Sequence, residues 1–354
     1  MRSFHAALCT AALSLSACGA AQEPAQTITR ETAATSPATT GLDAAKVDQF
    51  LARAERLENL RSLIVMRDGE ELVARRFNGG PDLDRTVNIK SASKSVISAM
   101  VGIAIDRGVL EGVDQPLLTQ LAAYAPSDPD PRLREVTVGN LLSMQAGLER
   151  TSGGNYGRWV SSPNWVRYAL SRPFVEEPGG AMLYSTGSTH LLSAMLTEAS
   201  DRSTWALAQE WLARPLGIAI PQWERDPQGI YLGGNQMAMS PRAMARFGEL
   251  YRLGGTIDGQ RVLPEEWVEQ SWQPRTTSPW SGEQYGYGWF ISETGGHALY
   301  YAWGYGGQMI YIVPDLQLTV VMTSGTDVER GGGHVDALRS LLAEGIVPAA
   351  EAGR

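Results

Sequence analysis

The sequence predicts an α+β fold in which strands from both ends of the chain form one antiparallel sheet, with flanking helices and an inserted helical subdomain. Two segments rich in β-forming residues lie near the start of the 354-residue chain, four more lie near its end, and helical patterns occupy the middle. A doubly wound hydrolase would instead alternate strand and helix along its whole length. That class is therefore disfavoured.

The first predicted elements are a helix and a hairpin. Apolar residues recur at helical spacing over residues 42–60. Strands are predicted at 63–66 and 72–77, on either side of Asp68-Gly69. This dipeptide suits a tight turn because both positions tolerate positive φ.

The remaining elements are assigned from the same periodicities. Helical spacing predicts helices at 138–144, 165–170, 188–199, 204–212, 241–253 and 337–342. Short segments rich in Ile, Val, Tyr and Trp predict strands at 288–292, 298–302, 309–313 and 318–323. Ser240 precedes a proline at the first helical position and is the expected cap of its helix.

The first residues have the features of an export signal. An apolar run, too short to span a bilayer permanently, ends in Leu-Ser-Ala-Cys at 15–18. This ending resembles the lipobox of bacterial lipoproteins. We therefore expect a lipoprotein signal peptide at 1–17, an acylated Cys18, and a lipid-anchored location in the bacterial cell envelope, facing the periplasm or the exterior. An ordinary signal cleaved near Ala20 is the alternative and would leave a secreted enzyme.

The sequence after the signal predicts a flexible tether and one domain. Residues 18–41 consist largely of Ala, Thr, Gln, Pro and Ser and offer little apolar surface to bury. Residues 42–348 contain neither an internal repeat nor a second low-complexity break, so we expect a single domain there.

Composition restricts the possible partners. The net charge is −8 and there is no basic cluster, which argues against nucleic acid. The chain has two cysteines, and Cys9 is lost with any cleaved signal, so neither a disulfide nor a cysteine metal site is expected. We expect small molecules or cell-envelope material as partners, with no metal and no cofactor.

Ser91 and Lys94 form the strongest candidate for a catalytic pair. Only three of the 30 basic residues are lysines. Arginine stays protonated, whereas a buried lysine can act as a base near neutral pH. The apolar run that follows predicts a helix buried all round, on which residues three apart share a face. Lys94 would then activate the Ser91 hydroxyl; the alternative is a lysine that snorkels from the helix end.

The motifs of other hydrolases are absent from the sequence. It has no Gly-x-Ser-x-Gly, no His-Glu-x-x-His and only four histidines. His190, His297 and His334 accompany no recognisable nucleophile motif, so we expect structural or surface roles for them. The glycine-rich run 303–307 is not followed by a helical pattern and lacks the setting of a phosphate loop.

Five ordered segments resemble the serine β-lactamase and penicillin-binding-protein superfamily, specifically its class C-like branch of esterases and amidases. They are Ser91-Ala92-Ser93-Lys94 as Ser-x-x-Lys, 137–148, the tyrosine element at 178–186, the helix at 240–248, and Ala302-Trp303-Gly304 in the place of Lys-Thr-Gly. The resemblance covers nearly the whole domain and implies a β-lactamase/DD-peptidase-like fold.

The resemblance implies a role for each catalytic residue. Ser91 is the expected nucleophile and Lys94 the base, while Tyr184 passes a proton to the leaving group and helps to activate water. The backbone N–H groups of Ser91 and Tyr305 would hold the oxyanion. A cationic Lys94 would lower the pKa of Tyr184, so that the two share one proton.

The expected substrate-binding residues come from the same segments and from nearby tryptophans, each of which is also a common core residue. They are Thr186, Ala302, Trp303, Gly304, Trp159 and Trp165. Two of them depart from the family pattern: Thr186 replaces the asparagine of Tyr-x-Asn, and Ala302 replaces a lysine or histidine. Both changes weaken the recognition of a β-lactam and its carboxylate.

Ser91, Lys94 and Tyr184 are intact. Together with the two departures, they predict a serine hydrolase that forms an acyl-enzyme on small esters or linear amides. The pattern most resembles esterases and hydrolases of 6-aminohexanoate oligomers. A class C-like β-lactamase or D-alanyl-D-alanine carboxypeptidase is the first alternative, and a non-catalytic binding protein of the cell envelope is the second. The expected partner is a small ester or amide, peptidoglycan-derived material included, with membrane contact through the lipid anchor only.

Overall fold

The computed structural model describes residues 41–327 and 333–353, and its central feature is an eight-stranded antiparallel sheet. The predicted signal peptide, Cys18 and the tether up to residue 40 lie outside the described residues. The strands are β1 (Leu60–Arg67), β2 (Glu70–Arg76), β3 (Val87–Asn88), β4 (Ala238–Met239), β5 (Thr256–Ile257), β6 (Gln260–Arg261), β7 (Thr276–Thr277), β8 (Gln284–Tyr285), β9 (Phe290–Thr294), β10 (His297–Gly304), β11 (Gln308–Val313) and β12 (Leu318–Ser324).

The strand order confirms that the sheet is built from both ends of the chain. It runs β2-β1-β12-β11-β10-β9-β8-β7, so the last strand pairs directly with the first. The hairpin between β1 and β2 turns at Asp68-Gly69 as predicted, and the two residues have positive φ values of 49° and 82°. The strands β3 and β4, and β5 and β6, form two separate ladders.

Each helix predicted from spacing is present, with its bounds shifted by a few residues. The helices are α1 (Ala44–Glu55), α2 (Ser93–Asp106), α3 (Leu118–Leu121), α4 (Val138–Leu142), α5 (Tyr156–Val160), α6 (Trp165–Leu170), α7 (Thr186–Ser200), α8 (Thr204–Ala208), α9 (Arg214–Leu216), α10 (Pro241–Arg252), α11 (Glu265–Ser271), α12 (His334–Leu341) and α13 (Val347–Ala352). Within the described ranges, no helix combines the length and the apolar character needed to cross a bilayer.

Two of the boundary differences have a clear physical reason. The first helix ends at Glu55, and Leu60 instead begins β1, where its side chain is fully buried against the sheet core. One apolar residue carries no period of its own, so spacing alone could not assign it to the strand. The last helix continues to Ala352, past the predicted domain end at residue 348, because its apolar face is buried.

The central strands are buried on both faces, because their alternate residues pack into two different cores. On β12, Val321 lies in the core with the inserted helices, whereas Val320 and Met322 lie in the core with the terminal helices. Residues 93–104 of α2 are all buried in the first core, which confirms the predicted helix without a solvent face. The Ser98 hydroxyl there donates to a backbone carbonyl at 2.7 Å, as a buried polar group requires.

Candidate active site

Ser91 lies in a short 3-10 turn, Lys90–Ala92, that precedes α2. The nucleophile is therefore just before the α-helix and not inside it. Lys90 has a φ of 51°, which is uncommon for a residue with a side chain, and its N–H donates to Asn88 Oδ1 at 2.9 Å. The Ser93 hydroxyl donates to the Lys90 carbonyl at 2.7 Å. These bonds hold the turn while Ser91 remains partly exposed.

Lys94 is buried in the first turn of α2 and is only 2% exposed. Its Nζ lies 3.1 Å from Ser91 Oγ, 3.3 Å from Thr186 Oγ1 and 2.7 Å from the Gly234 carbonyl oxygen. Burial lowers the pKa of Lys94 from 10.5 to about 7, since the charged form loses its water. A snorkelling lysine would expose its amine, so that alternative is wrong.

The three partners of Lys94 fit a neutral amine. The Gly234 carbonyl can only accept, so it takes one N–H, and Thr186 Oγ1 accepts the second. The lone pair is then left for the Ser91 hydroxyl, which can donate to it. Lys94 is thereby oriented as a base toward the nucleophile.

Tyr184 shares the site with Ser91 and Lys94. Lys94 Nζ lies 4.9 Å from the centre of its ring. Burial raises the pKa of Tyr184 above its ordinary value of 10, and the Ser91 hydroxyl offsets only part of that rise. The prediction that Lys94 lowers this pKa is wrong, because desolvation of the phenolate raises it and outweighs the nearby amine, which is only partly protonated near neutral pH. Tyr184 is a protonated phenol at neutral pH.

The segment that contains Tyr184 is fixed by the segment 137–148. The Leu183 N–H donates to the Met144 carbonyl at 2.8 Å. Gly147 has a φ of 77°, and a Cβ at this position would lie 2.5 Å from a backbone carbonyl oxygen of the neighbouring loop. Only glycine permits this approach. Two of the five segments that carry the family resemblance therefore pack on each other and place the phenol.

Thr186 is the first residue of α7 and is buried. Its Oγ1 faces Lys94 and lies 3.0 Å from Ser152 Oγ, which in turn accepts from the Thr186 N–H at 2.8 Å. Thr186 is thus a partner of the base. Its contact with substrate stays a prediction.

The end of β10 closely approaches the turn that carries Ser91. Gly304 allows this approach, since a Cβ there would lie 2.2 Å from the Ile89 carbonyl oxygen. Tyr305 follows Gly304 directly, so its backbone N–H, the expected second oxyanion donor, is located just beyond the contact. The oxyanion role of the Tyr305 N–H stays a prediction.

Ala302 and Trp303 lie on opposite faces of β10. Ala302 is 1% exposed and packs in the core that contains α2, so its side chain is not on the substrate-binding surface that was predicted for it. The reason is strand alternation, which sends every second residue of β10 into the core. Trp303 lies on the other face, where its ring is 5.6 Å from that of Phe290.

Tyr184, Phe290, Trp303 and Trp280 form an aromatic wall beside the nucleophile. The Phe290 ring stacks on Tyr184 at 6.2 Å, and the Trp280 ring meets the edge of Tyr184 at 5.6 Å. Trp280 is 48% exposed, which leaves much of its indole open to solvent. Sequence reasoning missed Trp280, because it lies in a loop between two short strands and belongs to no motif. An unexplained tryptophan among turn residues was the only available signal.

Trp159 and Trp165 are core residues and do not line an acyl pocket. Both are buried, their rings lie 5.4 Å apart, and each packs against His190, at 5.6 and 5.7 Å. The Trp159 Nε1–H donates to the Trp165 carbonyl at 3.0 Å, so its polar edge is satisfied internally. The packing role that the sequence left open is the one that the structure adopts.

The three histidines that the structure describes form hydrogen bonds with groups other than Ser91. The ring nitrogens of His190 contact Asp226 and Gly233, His297 contacts Glu351, and His334 contacts the Ser324 hydroxyl. Among residues 41–327 and 333–353, no group of three or more His, Cys, Asp or Glu side chains is arranged to hold a metal ion.

Comparison with known proteins gives a family match over most of the chain. The family model described as Beta-lactamase matches residues 61–344. These residues run from the first strand of the sheet to the turn before the last helix, so they include every segment named above. A search of curated proteins finds no match.

Solved structures with a similar fold include proteins of several activities. A Bacillus anthracis protein provisionally described as a 6-aminohexanoate-dimer hydrolase has a TM-score of 0.69 at 18% identity, over 83% of this chain and 80% of that one. EstCE1, a hydrolase with promiscuous acyltransferase activity, has a TM-score of 0.68 at 16% identity, over 84% and 97%. An octameric penicillin-binding-protein homologue from Pyrococcus abyssi has a TM-score of 0.67 at 18% identity, over 85% and 77%.

Proposed function

The chain belongs to the beta-lactamase family of serine hydrolases, and we propose that it hydrolyses small neutral esters or linear amides through an acyl-enzyme on Ser91. The observation that supports this most is the buried Lys94 amine, 3.1 Å from Ser91 Oγ and with a pKa lowered to about 7. A base of this strength can remove the serine proton near neutral pH.

Acylation follows from the arrangement of the three side chains. Neutral Lys94 takes the proton of Ser91 as Oγ attacks the carbonyl carbon, and the resulting oxyanion is expected to accept from the backbone N–H groups of Ser91 and Tyr305. The carbonyl then re-forms, the bond to the leaving group breaks, and that group takes the proton of the Tyr184 phenol. Lys94 returns its proton to Tyr184, so the acyl-enzyme forms with both groups reset.

Deacylation reverses these steps with water in the place of the alcohol or amine. Water gives a proton to the Tyr184 oxygen while the Tyr184 phenol proton passes to neutral Lys94, and the water oxygen attacks the acyl carbon. The tetrahedral intermediate then collapses, and Ser91 Oγ leaves and takes a proton back from Lys94. The sum is one ester or amide plus one water giving an acid and an alcohol or amine. Both half-reactions use the same base, which suits a lysine that is poised near neutrality.

The surface beside Ser91 favours a neutral, partly apolar substrate. The aromatic wall offers the exposed Trp280 next to Tyr184, and the leaving group must lie near Tyr184 to receive its proton. At the family's lysine or histidine position, Ala302 is buried and offers no charge. Folds similar to this one include a 6-aminohexanoate-dimer hydrolase and a hydrolase with acyltransferase activity, which accords with acyl transfer.

One observation favours the second candidate, a β-lactamase or D-alanyl-D-alanine carboxypeptidase. Lys90 directly precedes Ser91, and its Nζ contacts the Gln236 side-chain oxygen at 3.3 Å, so the partner of this ammonium is a neutral amide. A substrate carboxylate could pair with it in place of the missing family cation. The aromatic wall and the buried Ala302 make neutral esters the preferred class.

A labelling experiment tests the proposed function. Purified mature protein should react with a fluorophosphonate probe and hydrolyse p-nitrophenyl butyrate, and Ser91→Ala should abolish both. Lack of labelling in folded wild-type protein would instead support the non-catalytic binding protein. A panel of p-nitrophenyl esters, the 6-aminohexanoate linear dimer and nitrocefin then ranks the substrate classes. The lipid anchor on Cys18 and the envelope location remain part of the proposal, and labelling with radioactive palmitate in wild type and Cys18→Ala tests them.

A further inference from the structure

A buried histidine and aspartate lie behind the base, and the reaction described above does not use them. His190 is on α7, one turn after Thr186, and both its side chain and that of Asp226 are 0% exposed. His190 Nε2 lies 3.1 Å from Asp226 Oδ2. The other ring nitrogen, Nδ1, accepts from the Gly233 N–H at 3.3 Å. The imidazole therefore connects a buried carboxylate to the residue before Gly234.

The hydrogen bonds fix which ring nitrogen carries the proton. A backbone N–H can only donate, so Nδ1 must be unprotonated to accept from Gly233. The proton is then on Nε2 and points at the Asp226 carboxylate. The other oxygen of Asp226, Oδ1, accepts from the backbone N–H groups of Gln228 and Ile230, at 2.9 and 2.8 Å. Asp226 thus sets the tautomer of His190 and is itself held by its own loop.

Gly233 and Gly234 are closely packed against neighbouring residues. A Cβ on Gly233 would lie 2.2 Å from the Thr189 carbonyl oxygen, and one on Gly234 would lie 2.8 Å from Lys94 Cγ. The Gly234 carbonyl accepts from Lys94 Nζ at 2.7 Å, the shortest of the contacts of that amine. A displacement of the Gly233 N–H would therefore move the carbonyl that directs the lone pair of Lys94 toward Ser91.

We propose that His190 and Asp226 are positioning residues for the reaction: the Asp226 carboxylate fixes the His190 tautomer, His190 anchors Gly233, and the adjacent Gly234 carbonyl orients the Lys94 amine. The inference rests on the proposed function, because it assigns these residues to a base that acts on Ser91. It predicts an effect on kcat with little effect on KM, since neither side chain touches the substrate.

Asp226→Asn is the sharpest test, because it preserves shape and reverses one hydrogen bond. The amide oxygen must stay on the two backbone donors of its loop, so the amide NH2 faces His190 Nε2 and forces that nitrogen to accept. The ring proton then moves to Nδ1, where it opposes the Gly233 N–H. We expect kcat for ethyl butyrate to fall about tenfold to a hundredfold, in line with the loss of a correctly placed base.

Ser193→Ala is the matched control. Ser193 is fully buried on the same helix one turn further on, and its hydroxyl donates to the Tyr231 carbonyl at 2.7 Å, so it holds the same segment without contacting Gly233 or Gly234. It should lower Tm by an amount similar to Asp226→Asn and leave kcat within about twofold. Equal losses of kcat in the two variants would overturn the inference, because both would then report only loosened packing.

A rescue experiment separates positioning from packing. His190→Asn keeps an oxygen acceptor close to the place of Nδ1, so the double variant His190→Asn with Asp226→Asn should recover part of the kcat that Asp226→Asn alone loses. A merely structural pair would make the double variant worse than the single one, and that result would overturn the inference.

If Asp226→Asn does not fold, two single variants at residue 190 take its place. His190→Asn and His190→Leu both leave Asp226 without its imidazole, but only His190→Asn can still accept from Gly233. We expect kcat to be at least fivefold higher in His190→Asn, and equal values would overturn the inference. The proposed function fails separately, since it requires wild-type hydrolysis that Lys94→Arg abolishes. Wild-type kcat in folded Asp226→Asn would refute the positioning role alone.

Discussion

Lys94 Nζ lies 2.7 Å from the Gly234 carbonyl oxygen, closer than its 3.1 Å distance from Ser91 Oγ. The amine that we propose as the base for Ser91 is thus held most closely by a backbone carbonyl that no sequence motif contains. Because that carbonyl can only accept, it leaves the lone pair of the neutral lysine for Ser91. The predictions below concern this base, the phenol that shares the site, and the aromatic wall.

Lys94→Arg should abolish acylation although the positive charge is retained. The guanidinium stays protonated at any pH at which the protein is folded, so it cannot take the Ser91 proton. We expect kcat/KM for p-nitrophenyl butyrate to fall by about 10² to 10⁴, the usual effect of losing a general base. The control is Lys46→Arg, on the first helix, which should be as active as wild type. Near-normal activity in folded Lys94→Arg would show that Lys94 is structural.

The pH dependence of kcat/KM should show an acidic limb with a midpoint near pH 7. Burial lowers the pKa of Lys94 to about 7, and only the neutral amine is active, so the rate falls as pH falls below that value. Well below the midpoint the rate should drop about tenfold per pH unit, as for a single protonation. His297→Gln and His334→Gln should keep the midpoint, and a shift in either variant would assign the limb to that histidine.

Tyr184→Phe should affect poor leaving groups far more than good ones. Burial keeps the phenol protonated, so Tyr184 acts as a proton donor, and an alkoxide or amine needs that proton whereas p-nitrophenolate does not. We expect kcat/KM, which reports acylation, to fall by about 10² to 10⁴ for ethyl butyrate and by less than about tenfold for p-nitrophenyl butyrate. Equal losses for the two esters would contradict the role of Tyr184 as the acid.

Trp280→Ala should weaken the binding of substrates that have bulky apolar leaving groups. The exposed indole meets the edge of Tyr184, where the leaving group receives its proton, so an aryl or long alkyl alcohol would pack on it. We expect KM for benzyl butyrate to rise about threefold to tenfold, the usual contribution of one aromatic contact, and KM for methyl butyrate to stay within twofold. Leu253→Ala, which truncates another exposed apolar side chain, should change neither value.

Ester hydrolysis should exceed β-lactam turnover by a hundredfold or more in kcat/KM. A β-lactam carboxylate that enters this cleft loses its water at a cost of about several kcal/mol unless Lys90 pairs with it, while a small ester carries no such charge. The measurement compares p-nitrophenyl butyrate with nitrocefin in the purified mature protein. Faster nitrocefin turnover would instead favour the β-lactamase or carboxypeptidase. Lys90→Gln should then lose nitrocefin turnover and keep ester hydrolysis.

Much of the fold could be predicted because local patterns repeat at the period of the element they form. The Asp68-Gly69 turn and the β-forming residues of β1 and β12 needed only sequence to be recognised. The joining of the two ends in one sheet followed from the position of strands at both termini. Short elements such as α3 and β7 were missed, since they contain too few residues to show a period.

The candidate site, like the fold, could be predicted only in part. Ser91 and Lys94 are three residues apart on one local element, so their proximity follows from helix geometry, and Tyr184 was found through its motif. Trp159 and Trp165 were proposed for the substrate surface, yet they pack around His190. Tryptophan side chains suit both settings, and only the packing of α5, α6 and α7 decided between them.

The sequence by itself determined which groups can do chemistry: a serine, a lysine in a chain that otherwise uses arginine, and a tyrosine, each in a recognisable local segment. The tertiary structure decided the protonation state of those groups and their direction. Burial of Lys94 and Tyr184 moves their pKa values in opposite senses, to a neutral amine and a protonated phenol, and residues some 140 positions away in the chain supply the carbonyl that orients the amine. Desolvation and long-range hydrogen bonds depend on the residues that the folded chain brings around a group. Those residues lie far from that group in the sequence, so the local sequence does not reveal them.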